Sequence, residues 1–328
     1  MKMIRKVLSA IVMLSLAAAS FSLSRHDAVV DDDVIAEEDA VETHVGVLSG
    51  PSGIPMAYCL ENDIEDDGVS FEIFAGANLL LPKLISGEID IGFLPPNVAA
   101  KVYNANNGAV VIAAVAGNGM MSLVTRDQSV KSIKDLAGKT ISVAGQGATP
   151  DYMMRYLLKA NGIEAALDFS IPNPQIAPSL IAGKIDYAVV PEPFATVATM
   201  KDKSIIRAIN IQDAFASASG TDGVFPMTVI AVNAAFAKNH PNAVKKFLSA
   251  SEFASIWALS NAEEAGKLAE KNGLGIAAPI ATAAIPNCAY TFKLAKDAKA
   301  DVEKILKIFL DFDSASIGGK LPDEGFYF

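Results

Sequence analysis

The chain has 328 residues, 51% of them hydrophobic and 20% charged, and a formal net charge of −10. That length and apolar content allow two domains of ordinary size, each with its own core, and exclude disorder for most of the chain. The acidic balance excludes nucleic acid or an anionic membrane surface as the main partner, because both want clustered Lys and Arg.

At the N-terminus Lys2, Arg5 and Lys6 precede an apolar run from Val7 to Leu16, and Ala17-Ala18-Ala19 supplies the small residues a signal peptidase reads. Residues 1–19 are therefore predicted to be a secretory signal peptide, too short to act as a stop-transfer span. No Cys sits at its end, which argues against a lipid anchor. Residues 20–42, with the acid runs of SRHDAVVDDDVIAEEDAVE, are read as an acidic flexible linker. Those runs lack the alternating ligands and the Gly of a calcium loop, so no metal is expected there.

From Thr43 onward strands and helices alternate. THVGVLSG reads as a strand ending in a Gly-Pro-Ser-Gly turn, IPMAYCLEN as a short helix and VSFEIF as a strand. GAVVIAAVAG and MMSLVTR read as strands, SIKDLAG as a helical turn and KTISVAG as a strand. TPDYMMRYLLKANG reads as a helix stopped by Gly162. The pattern predicts an α/β fold with parallel sheets covered by helices on both faces, in two lobes.

One phrase is written twice. PKLISGEIDIGFLPPNVA at 82–99 and PSLIAGKIDYAVVPEPFA at 178–195 agree at eight of eighteen positions, with Gly, Ile-Asp and Pro in register. Leu79, Leu80, Leu84 and Ile85 make the apolar side of a helix that Gly87 ends, followed by a strand over 89–94. Ile176, Leu180 and Ile181, stopped by Gly183, precede the second strand over 185–190. Convergence of ordinary helix-strand connections would explain part of this similarity. The shared Gly-x-Ile-Asp with Pro five residues on, at Pro95 and Pro191, favours two lobes built alike, each offering a loop at a strand's carboxyl end to a common cleft.

The phrases LISGEIDIGFLPP, SIKDLAGKTISV, LIAGKIDYAVVPEP, KNHPNAVKKFL and IGGKLPDEGFYF resemble the nitrate, sulfonate, taurine and thiamine-precursor group of periplasmic solute-binding proteins of ABC importers. The resemblance covers about Thr43 to Phe328. It implies a type II periplasmic-binding fold: two doubly wound lobes, 43–119 with 226–328 and 120–225, joined by crossover strands at Met121–Thr125 and Pro226–Val232. It also implies a monomer that captures a small polar solute without a cofactor and delivers it to permease and ATPase subunits. An enzyme related to the thiamine-pyrimidine synthases of the same fold is the alternative. It lacks support here, since those enzymes carry a Cys-rich motif and active-site His, and the proposed loops contain no His. A surface protein that kept the fold and lost its ligand is the third possibility.

Ligand-binding candidates lie in loops at strand ends. Ser49, Gly50, Ser52 and Gly53 precede a helix, where amides and hydroxyls can face a solute; an ordinary Gly-Pro turn is the competing reading. Asn97 offers an amide that both donates and accepts. Gln146, Gly147, Ala148 and Thr149 lead into the helix begun by Pro150, with Thr149 as its N-cap and glycines that let backbone approach an anion. In the resembling family this loop meets the ligand's polar end. Glu192 is read either as partner of a ligand amine or as an inter-loop hydrogen bonder. Asp222 is read as a turn residue, and Asp90 with Asp186 as buried hydrogen bonders rather than a catalytic pair. Arg25, Arg126, Arg155 and Arg207 lie outside the proposed loops, which favours a neutral solute, a zwitterion or a small monoanion. Cys59 and Cys288 are either buried thiols or a disulfide. With only His26, His44 and His240, a His-based metal site or catalytic triad has little material.

Overall fold

Strand formation follows the runs of β-branched and small apolar residues, and the computed structural model describes residues 41–62, 68–220 and 223–328. The predicted leader, the predicted linker up to residue 40, and Asp222 lie outside the described residues. The strands are β1 (Thr43–Leu48), β2 (Val69–Phe74), β3 (Ile91–Leu94), β4 (Val110–Asn118), β5 (Met121–Thr125), β6 (Thr140–Val143), β7 (Ala166–Asp168), β8 (Tyr187–Pro191), β9 (Ile206–Asn210), β10 (Pro226–Asn233) and β11 (Tyr290–Leu294). They form a six-stranded sheet in the order β11-β4-β10-β3-β1-β2 and a five-stranded sheet in the order β7-β6-β8-β5-β9. Helices cover them, giving two α/β lobes.

The doubled phrase has a direct structural counterpart. In the six-stranded lobe β3 lies between β1, its parallel neighbour, and β10, its antiparallel one. In the five-stranded lobe β8 lies between parallel β6 and antiparallel β5. The predicted all-parallel sheets are therefore mixed. β1, β3, β4, β6, β8 and β9 run toward the cleft, whereas β5, β10 and β11 begin at the cleft edge and run away from it, β5 and β10 having arrived from the other lobe.

Ahead of β3, helix Ala77–Ser86 buries Leu80 and Leu84 and ends at Gly87 with φ 81°. Leu79, expected on the apolar side, is 54% exposed, because the buried stripe follows the spacing of four set by Leu80 and Leu84. Ahead of β8, helix Asn173–Ile181 buries Ile176 and Leu180 in the same way. The two aspartates of the phrase part company. Buried Asp90 accepts from the His44 amide at 2.8 Å and faces His44 Nδ1 at 3.1 Å, fastening β3 to the start of β1. Asp186 is exposed.

The chain crosses between lobes at Asn118-Gly119-Met120 and again after helix Ile211–Ser219. At the first crossing the Gly119 amide donates to Gln212 Oε1 at 2.8 Å. A Cβ on Gly119 would stand 2.3 Å from the ring of Phe225, which is fully buried and edge-on to Phe215 at 5.4 Å. Gly119→Ala is expected to destabilise the protein by about 1–3 kcal/mol through overpacking, read as a lower urea midpoint. Gly119→Ala with Phe225→Leu should recover part of the loss. One apolar cluster, including Leu123, Phe225, Val229 and Phe309, runs through the crossings into both lobes.

Candidate functional site

The directions of the strands place β1, β3 and β4 ends, and β10 and β11 starts, along one edge of the six-stranded sheet. The ends of β6, β8 and β9 and the start of β5 form the corresponding edge of the other. The two edges meet. Helix Ala278–Ala284 of one lobe packs on helix Phe194–Lys201 of the other, while the Glu192 amide, beyond β8, donates to the Met120 carbonyl at 2.9 Å and extends the β5–β8 ladder to the crossing. Tyr152, on helix Thr149–Asn161, donates from its hydroxyl to Asp313 Oδ2 at 3.0 Å. The same ring lies 4.9 Å from Phe309 and 6.3 Å from Phe312, both on helix Ala295–Phe312.

At the cleft edge of the six-stranded sheet is a cavity of about 10 Å³, room for about one water molecule. The hydroxyl-bearing residues Ser52, Thr228, Ser255 and Tyr290 line it, with Met56, Phe93 and Met120 as apolar walls. Tyr290 donates to the Pro51 carbonyl at 2.6 Å. Burial pushes the Tyr290 phenol well above its ordinary pKa, so it stays protonated. Roomier surface grooves of about 450–580 Å³ contain none of the predicted site residues.

Of the predicted residues, Ser52 reaches this cavity. The amides of its neighbours are already used: Ser49 donates to Phe74 O, Gly50 to Leu274 O and Gly53 to Gly50 O. Gly53 is buried, and a Cβ there would stand 2.2 Å from the Leu48 carbonyl oxygen, so close backbone packing accounts for this glycine. The expected helix is a six-residue 3-10 turn, Pro51–Met56, followed by Ala57–Glu61. Asn97 is half-buried as the second residue of helix Pro96–Ala105.

The Gly145–Pro150 loop is organised from within. Thr149 is the first helical residue and buried; Ala148 holds the N-cap position, and no side chain caps from it. Asp151 supplies the negative charge at this helix end: its Oδ2 accepts from the Gly147 amide at 2.9 Å, and its Oδ1 pairs with Arg155 Nε at 2.5 Å. Ala148 N is bound to Gly145 O. Gln146 and Gly147 are exposed. An anion arriving here would face a carboxylate, and the amide expected to receive it is occupied.

Glu192 is 2% exposed and committed to protein partners. Its Oε1 accepts from Arg207 Nη2 at 2.8 Å and Nε at 3.2 Å, and its Oε2 accepts from the Thr196 amide at 3.1 Å. Arg207 also donates to Thr196 Oγ1 at 2.6 Å and Thr199 Oγ1 at 3.3 Å. The reading of Glu192 as partner of a ligand amine therefore gives way to an internal ion pair. Thr228, Ser255 and Tyr290 went unnoticed in the sequence, and Arg207 was placed outside the proposed loops, because each sits in an ordinary strand or helix pattern far along the chain from the loops it joins.

Cys59 and Cys288 are free and buried. Burial pushes both thiols up to about 12, and Cys288 donates to the Ala284 carbonyl. Neither thiol is expected to react with an aromatic disulfide reagent at pH 8 in the folded protein, and two should react after unfolding in guanidinium. A fast reaction of either in native buffer would contradict this burial.

The NMT1/THI5-like family model matches residues 65–265. No curated protein matches the sequence. Among solved structures, an ABC transporter from Parabacteroides distasonis is 26% identical with a TM-score of 0.75, over 88% of this chain and 99% of that one. The periplasmic aliphatic sulphonate binding protein SsuA from Escherichia coli is 15% identical with a TM-score of 0.67, over 84% and 94%. The desulfurization enzyme DSZB is 14% identical with a TM-score of 0.59, over 86% and 94%. The last two share the fold. The family match spans more than half of the sequence, and the chain belongs to the NMT1/THI5-like family.

Proposed function

We propose that this chain is the solute-binding component of an ABC importer: exported by the leader at 1–19, it works in the periplasm as a monomer and presents a small polar solute to permease and ATPase subunits. The solute classes are those of the resemblance, sulfonate, taurine, nitrate or a thiamine-pyrimidine-like ring. Lobes of residues 43–119 with 226–328, and of 120–225, close on it without catalysing a reaction. The observation that carries this reading is the packing of helix Phe194–Lys201, at the end of the second copy of the doubled phrase, on helix Ala278–Ala284 of the other lobe, with Phe93 of the first copy and Met120 of the crossing lining the cavity at the cleft edge. The family membership supports it. Among the described residues, no helix is long and apolar enough to cross a membrane.

A cavity of about 10 Å³ admits no whole solute of several heavy atoms, so capture requires the lobes to part and then reclose with contacts from both sides. Thermal shift against taurine, alkanesulfonates, nitrate, thiamine pyrimidine and riboflavin tests the reading. One of them should raise Tm, by the equivalent of about 2.7 kcal/mol at a hundred times Kd, with no chemical change in the recovered compound. Turnover of a stabilising compound would favour an enzyme instead.

A further inference from the structure

We propose that the polar-lined cavity seats a single uncharged polar group of the captured solute, such as a ring-attached amino, a hydroxyl or a carbonyl, so that the solute enters this lobe with a neutral end foremost. The proposal rests on the receptor reading and narrows its ligand class. Size is the first argument. About 10 Å³ holds one heavy atom of a polar group, whereas a sulfonate brings three oxygens and a nitrate four atoms in all.

Charge is the second argument. Among the described residues, no charged side chain lines the cavity. The charge that acts on its Tyr290 wall from the other lobe is that of Glu192, a carboxylate. The nearby guanidinium of Arg207 is already paired to it. Several of the amides an anion was expected to use are also taken, since those of Ser49, Gly50, Gly53, Gly147 and Ala148 are bound within the protein. Hydroxyls of Ser52, Thr228 and Ser255, each able to donate or accept, match a neutral group of either polarity. Apolar walls from Met56, Phe93 and Met120 favour a flat or aliphatic body behind it.

Matched pairs that differ in charge but little in shape make the test: acetamide against acetate, and methanesulfonamide against methanesulfonate, soaked into crystals of the protein. Density for the polar end of acetamide within hydrogen-bond distance of Thr228 and Ser255, absent with acetate, is the expected result. Thr228→Val with Ser255→Ala should lose that density while the protein still crystallises and melts cooperatively. An anion of either pair in the cavity, or a water alone in all four soaks, overturns the proposal. The receptor reading fails separately, when no compound of the thermal-shift panel stabilises the protein and denaturing the purified protein releases no small molecule.

Discussion

Arg207→Met is expected to lower stability by about 3–5 kcal/mol, the usual result of leaving a buried charge without its counter-ion. The Glu192 side chain is 1% exposed against 28% for Arg207, so the arginine retains access to water and the glutamate does not. With Arg207 gone, the carboxylate keeps the Thr196 amide and loses both guanidinium donors. Urea denaturation should show the midpoint falling with an unchanged slope. Adding Glu192→Gln to the same chain should recover at least half of the deficit, since the coupling of two contacting residues makes their losses non-additive. Equal midpoints for wild type and Arg207→Met would mean that the pair carries no net stabilisation.

The second large effect concerns closure. Tyr152→Ala is expected to remove about 3 kcal/mol of contact between the lobes, the low end for truncating a buried aromatic. Its ring packs on Phe309 and Phe312 and its hydroxyl donates to Asp313, all three in the opposite lobe. If those contacts exist only when the lobes are shut, the loss multiplies the open-to-closed ratio by roughly a hundredfold. Small-angle scattering should then report a larger radius of gyration for Tyr152→Ala than for wild type. Tyr152→Phe keeps the stacking and gives up one hydrogen bond, about 1 kcal/mol, so its scattering should fall between the two. Identical scattering from all three proteins would remove Tyr152 from any role in closing the cleft.

Much of the architecture was readable from residue pattern. The strands VSFEIF, GAVVIAAVAG and KTISVAG, the helix stopped by Gly162 and the doubled phrase all depend on local spacing, and they stand where that spacing puts them. The direction of β5 and β10 was not readable, because apolar runs look alike in either sense and only the crossing between lobes fixes which way they run. The site was less legible than the fold. A glycine-rich loop before a helix displays free amides when seen as a string of letters. In the folded chain Asp151, three places into its own helix, has taken the Gly147 amide. Arg207 looked remote from every loop, since a strand's sequence does not reveal which loop lies beside it. Thr228 and Ser255 read as ordinary strand and helix residues until β10 and helix Pro241–Ser260 were brought to the same edge.

The two crossings also set an order of assembly. Residues 121–210 hold every strand of the five-stranded sheet in one unbroken stretch, whereas the six-stranded sheet takes four strands from before that stretch and two from after it. During synthesis or export the inserted lobe can therefore complete its hydrogen-bonded ladder while β3 and β4 still wait, side by side in sequence, for β10 to come between them. The lobe that begins first is the one that finishes last, and until β10 emerges the exposed flanks of β3 and β4 are the stretch of nascent chain most in need of protection from mispairing.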